Sequence, residues 1–184
     1  MPITADHVRA TLGEYLEEYP EEKGRLAAIT EVLDQAGDSI ASRKEFLGHV
    51  TAGAVLLRPD GRVLMIEHRA LQKWLLPGGH VEPEDSTLLD AALRELAEET
   101  GIDAGLVEPV GALPVDIDVH PIPANPAKGE DAHRHFDFRF LFRTTTEAVE
   151  LQEEEVTAYS WLAADVLAGE PLRSRVMAAA ATAA

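Results

Sequence analysis

Three glutamates, Glu95, Glu98 and Glu99, stand at i, i+3 and i+4 in a segment with helical patterning, so their carboxylates share one face. Like charges at that spacing destabilise a helix by a few tenths of a kcal/mol per pair, so the cluster calls for a compensating cation. Mg²⁺ prefers oxygen ligands and keeps several waters, which suits a carboxylate set of this kind. Arg94 neighbours the cluster, stands four residues before Glu98, and can orient a carboxylate through its guanidinium. Gly78-Gly79 precedes the helix in a turn where backbone passes closely, and a carbonyl there offers a further hard ligand. Taken alone, the helix also reads as a solvated acidic face after a glycine-rich turn.

The wider spacing is more specific. Gly79, then Asp85, then Arg94-Glu95-Leu96-Ala97-Glu98-Glu99-Thr100-Gly101-Ile102 resembles the Nudix box, the signature of hydrolases that cleave a nucleoside diphosphate linked to another moiety. The family pattern is Gly, five residues, Glu, seven residues, then Arg-Glu-apolar-x-Glu-Glu-x-Gly-apolar. The second half matches at every fixed position. In the first half Asp85 stands where Glu is usual, and eight residues separate it from Arg94. Trp74-Leu75-Leu76-Pro77-Gly78-Gly79 and the downstream Trp161-Leu162 extend the similarity over roughly residues 47 to 167.

The resemblance implies roles for matched positions. Glu98 and Glu99 would be metal ligands beside the Gly78 carbonyl. Glu95 would be a ligand or a base, and Arg94 would hold a glutamate in place. Mg²⁺ would be the cofactor, with Mn²⁺ a substitute. A further carboxylate often comes from a later segment. Glu153, Glu154 and Glu155 are candidates, with Glu154 taken as the catalytic one. The implied reaction is in-line attack of activated water on phosphorus. Two other readings stay open: a ligand-binding or sensor module of the same fold without turnover, and an isomerase branch that is understood to use a cysteine. The chain has no cysteine, and the intact glutamate set weighs against the sensor.

A second constellation lies at His133-Arg134-His135-Phe136-Asp137-Phe138-Arg139-Phe140. Strict alternation puts Phe136, Phe138 and Phe140 on a core face and His135, Asp137 and Arg139 on the other, with His133 at the start. In one reading Asp137 and Arg139 form a structural pair. In the other the polar face binds substrate through His133, His135, Asp137 and Arg139, helped by Arg69. A zinc site from His120, His133 and His135 has no matching spacing motif and is the lesser reading. Trp74 is expected in the core, although base stacking is the alternative.

The positioning elements follow from periodicity. Residues 4 to about 46 read as helix: Asp6 caps a first helix through Glu18, Pro20 opens a second to about Gln35, and a short piece covers Ser39 to Phe46. His49 to Leu57 and Arg62 to His68 form a hairpin about Asp60-Gly61. A helix runs from about Thr87 to Thr100 and stops at Gly101. Val107 to Asp118 is mostly extended, residues 121 to 132 form a loop, and strands follow at Arg134 to Arg143 and Glu153 to Trp161. A short helix at Leu162 to Gly169 precedes an alanine-rich one from Leu172. The expected organisation is an N-terminal helical extension (1–46), a Nudix domain (47–167) and a C-terminal helix or tail (168–184). The fold class is α/β (α+β), with a mixed sheet between helices.

Composition sets the outer bounds. The chain has 184 residues with 16 Lys plus Arg against 33 Asp plus Glu, a formal net charge of -17. Such acidity disfavours a broad nucleic-acid surface or an anionic membrane, and makes a cation the natural bridge to a phosphate substrate. The expected partner is a small nucleotide-derived diphosphate. The N-terminal helices could cover the sheet, shape the pocket or build a homodimer. The absence of an apolar run long enough for a span or leader makes the cytoplasm the expected compartment.

Overall fold

The computed structural model describes residues 2–146, 149–151 and 156–182. Its helices are α1 (Ala5–Glu18), α2 (Ala27–Ala36), α3 (Leu88–Thr100) and α4 (Leu172–Ala181). Its strands are β1 (His49–Leu57), β2 (Arg62–His68), β3 (Lys73–Leu75), β4 (Gly78–His80), β5 (Glu108–Pro109), β6 (Asp116–Ile122), β7 (His133–Arg143) and β8 (Val156–Ala163). The strands pair in the order β3-β2-β1-β7-β5, with β4 against β1, β6 against β7 and β8 against β2. The chain is thus α+β with a mixed sheet. It divides into two compact units, the first built from Met1–Ala52, His80–Ala91 and Ile117–Phe138, the second from the remaining segments.

In the first unit α1 buries Val8, Leu12 and Tyr15 along one stripe. Its cap is Thr4 and not Asp6: the Thr4 hydroxyl accepts the His7 N–H at 3.2 Å, and Asp6 falls in the first turn, where its charge suits the helix dipole. The expected second helix begins as a 3₁₀ turn, Pro20–Lys23, before α2. That turn buries Glu22, whose carboxylate accepts from the Tyr15 hydroxyl at 2.9 Å and pairs with Arg25. α2 buries Ile29, Val32 and Leu33. The piece after Gly37 is also 3₁₀, Gly37–Ala41, shorter than expected. Arg25 donates to the Ile117 carbonyl at 2.6 Å, and His7 Nε2 accepts the Leu88 N–H at 3.1 Å. Both bonds tie the first 46 residues to later segments of the same unit.

β6 continues to Ile122, so the expected loop starts later than Pro121 implies. A proline is tolerated there because, among the described strands, β6 pairs only with β7. Along β7 the alternation holds, with Phe136, Phe138, Phe140 and Phe142 all buried.

The second unit holds a hairpin ladder in which β2 pairs antiparallel with β3 and with β8, for example Ile66 opposite Leu75 and Leu64 opposite Trp161. Its core gathers Val55, Leu57, Val63, Met65 and Leu141 with Leu172 and Val176 of α4. Burying each such side chain stabilises by about 1.5–3 kcal/mol, so the terminal helix belongs to this core. The short helix expected at Leu162 to Gly169 is only a 3₁₀ turn, Ala164–Val166.

Candidate active site

Helix α3 starts after Thr87, whose hydroxyl accepts the Asp90 N–H at 3.0 Å. It ends at Gly101, whose φ of +64° lies in the left-handed region and whose N–H bonds the Ala97 carbonyl at 2.9 Å. Leu88, Ala92 and Leu96 are fully buried, and this stripe fixes the rotation of the helix. The rotation grades the three carboxylates. Glu99 is 6% exposed, the Glu95 side chain 14% and the Glu98 side chain 55%.

Each carboxylate is held. Glu99 Oε2 accepts the Gly78 N–H at 2.9 Å, which joins the glycine turn to the last turn of the helix. Arg94 Nη1 donates to Glu95 Oε1 at 3.0 Å and to Glu98 Oε2 at 2.9 Å, so one guanidinium nitrogen bridges two glutamates. Gly79 has a steric reason to be glycine: a Cβ there would come within 2.7 Å of the Glu95 carboxylate. Gly78, Arg94, Glu95, Glu98 and Glu99 therefore form one constellation within the second unit. Its donors are oxygens, and two of its three carboxylates share one guanidinium. That chemistry fits a hard divalent cation.

Asp85 lies in the first unit, is 5% exposed, and accepts the Glu82 N–H at 2.7 Å. Its carboxylate closes the 82–85 turn. Arg69 is exposed just after β2. Trp74 is exposed, at 43%, rather than in the core, because β3 lies at the end of the strand order. Glu153, Glu154 and Glu155 lie outside the described residues.

Asp137 and Arg139 each have a partner on another segment. Asp137 Oδ1 accepts from the Thr51 hydroxyl at 3.1 Å. Arg139 donates to Asp116 at 3.1 Å, and that carboxylate is almost wholly buried. Alternation places the two on one face, and these bonds reach to β1 and β6.

His133 and His135 sit within a larger group in the first unit. Ring centroids lie 4.8 Å apart for His49–His133, 4.8 Å for His49–His135 and 5.3 Å for His133–His135. His80 is 5.1 Å from His49, and His120 is 5.6 Å from His135. Burial first, then the charge of neighbouring imidazoles, pushes His80 down to about 4 and His135 down to about 3. His49 is lowered too, chiefly by burial. Sequence reasoning had grouped His120, His133 and His135 and missed His49 and His80. The only available signal was that His49 opens a strand and His80 follows the paired glycines.

Comparison with known proteins bears on most of the chain. It is similar, at 35% identity over 133 residues, to a Lactococcus lactis subsp. cremoris protein named "Probable DHNTP pyrophosphohydrolase", a match spanning 72% of this chain and 76% of that protein. The fold resembles a C. elegans Ap4A hydrolase in a binary complex (TM-score 0.55, 20% identity, 72% of this chain and 96% of that one). It also resembles the E. coli dihydroneopterin triphosphate pyrophosphohydrolase (TM-score 0.52, 23% identity, 72% of this chain and 95% of that one). The model of the NUDIX domain matches residues 47–180, beyond Leu167 and through most of α4. The chain belongs to the Nudix hydrolase family.

Proposed function

We propose that this hydrolase cleaves the phosphoanhydride bond of a small nucleotide-derived diphosphate or triphosphate, with Mg²⁺ as its working cation and Mn²⁺ as a substitute. The observation that carries the reading is the convergence of Arg94, Glu95, Glu98 and Glu99 on the Gly78–Gly79 turn. The relative named for DHNTP pyrophosphohydrolysis supports the reaction class.

Glu95, Glu98, Glu99 and the Gly78 carbonyl would hold the cation. When bound, it supplies neutralisation of phosphate oxygens and a lowered pKa for water. Glu99, buried and fixed by the Gly78 N–H, contributes a rigid oxygen. Arg94 sets the orientation of Glu95 and Glu98 together. Glu98, the most exposed carboxylate, takes the proton of the water that attacks phosphorus in line. Arg69, exposed beyond β2, would meet the outgoing phosphate. Glu154 remains the candidate for a second base.

A panel of nucleoside diphosphate derivatives and pterin or nucleoside triphosphates, read by phosphate or pyrophosphate release, tests this. Turnover with Mg²⁺ or Mn²⁺ that stops on chelation is the expected result. No release from any phosphoanhydride with either cation overturns the proposal.

A further inference from the structure

Five of the seven histidines in the chain, His49, His80, His120, His133 and His135, gather in the first unit. His49 is 1% exposed, and its Nδ1 lies 3.0 Å from the Glu45 carbonyl. A carbonyl only accepts, so the ring proton is assigned to Nδ1 and the lone pair to Nε2. That Nε2 is buried and has no hydrogen-bond partner. An orphaned buried acceptor is costly, and an imidazole nitrogen in that state is also a ready ligand.

His133 repeats the arrangement. It is 8% exposed, and its Nδ1 lies 2.7 Å from the Asp131 carbonyl, which turns the lone pair to Nε2. His120 Nδ1 meets the Asp118 carboxylate at 2.9 Å. A metal-binding histidine characteristically donates its other ring N–H to a carbonyl or carboxylate, which fixes tautomer and orientation. His49, His133 and His135 each offer one ring nitrogen, and the three lie within 4.8 Å of one another. Tetrahedral bonds of 2.0–2.1 Å would bring such nitrogens to roughly 3.3 Å, a closure that small ring movements supply.

The geometry points to a second metal site, formed by His49, His133 and His135, that takes a borderline divalent transition metal of the Zn²⁺ type. All three donors are nitrogen, which suits Zn²⁺, Co²⁺ or Ni²⁺ and not Mg²⁺. A fourth position is left for water. The inference removes His133 and His135 from the substrate-binding role that the sequence suggested. It is independent of the hydrolase reading, because it uses no residue of the carboxylate face.

The test uses the full chain, stripped with a chelator and titrated with Zn²⁺ by calorimetry and with Co²⁺ by visible absorption. The expected result is one equivalent of Zn²⁺ with a Kd below about 1 μM and a Co²⁺ d–d band for low-coordinate nitrogen ligation. His133→Ala and His135→Asn should each weaken binding at least about tenfold and abolish the band, whereas Glu98→Gln and Glu99→Gln leave both unchanged. Since His133 is buried, the half-buried His135 carries the test if His133→Ala fails to fold by circular dichroism. Zn²⁺ binding that persists at full strength in His135→Asn, that is lost in the glutamine variants, or that is absent below about 100 μM overturns the site.

Discussion

The carboxylate face of α3 and the histidine group of the first unit both crowd side chains that repel one another when charged. They handle the repulsion in opposite ways. Glu95 and Glu98 share the guanidinium of Arg94, while Glu99 takes a backbone N–H. His80 and His135 are instead kept neutral by burial and then by neighbouring imidazoles, His49 first. An anionic oxygen set invites a hard cation, and a neutral nitrogen set invites a borderline one. Within one small enzyme, like-group clusters can thus point to different ions.

Breaking the first region should give the largest effect. Glu98→Gln removes the base and one charge but keeps the shape, so turnover should fall by about 10²–10⁴-fold with an unchanged circular dichroism spectrum. Near-normal turnover in a steady-state assay would take Glu98 out of the chemistry. Gly79→Ala is the subtler break. The new methyl would meet the Glu95 carboxylate, and the resulting displacement should cost roughly 10- to 100-fold in kcat while Glu98 and Glu99 remain. An unaffected kcat would mean that the position of Glu95 is not critical.

Acidification sharpens the other side of the comparison, with a smaller and graded effect. His80 and His135 titrate lower in the folded chain than the ordinary 6.5, so the unfolded chain takes up protons first. Their contribution to stability is whole above about 6.5 and is lost as the pH falls toward about 4 for His80 and about 3 for His135. Urea midpoints of the chelator-treated protein should fall across that range. In a His80→Asn, His135→Asn double variant the slope should shrink. An identical slope in the variant would place the acid sensitivity elsewhere.

The carboxylate face was legible in the sequence because its logic is local. Helical spacing put Glu95, Glu98 and Glu99 together, and the glycine turn stands 16 to 21 residues before them in a fixed motif. The alternation of β7 likewise announced its buried phenylalanines. What escaped was long-range choice of partner. Asp116 lies 23 residues before Arg139, and Thr51 lies 86 before Asp137, so alternation named the polar face but not its bonds. The histidine group escaped for the same reason: His49 opens β1, far from His133, and no spacing rule links them. Trp74 misled because a tryptophan beside a motif reads as core, although its strand lies at the end of the strand order.

The bond from the Leu88 amide to His7 spans 81 residues, and that from Arg25 to the Ile117 carbonyl spans 92. During synthesis α1 and α2 emerge well before either partner exists. Until the middle of the chain arrives these two bonds cannot form, and the stripe of Val8, Leu12, Tyr15 and Ile29 lacks part of its final setting. Closing such long loops is slow, since the entropy is lost before the contacts return it. The first 46 residues are thus made early and completed late, and that interval is when their apolar stripes are most open to wrong partners, including another nascent copy.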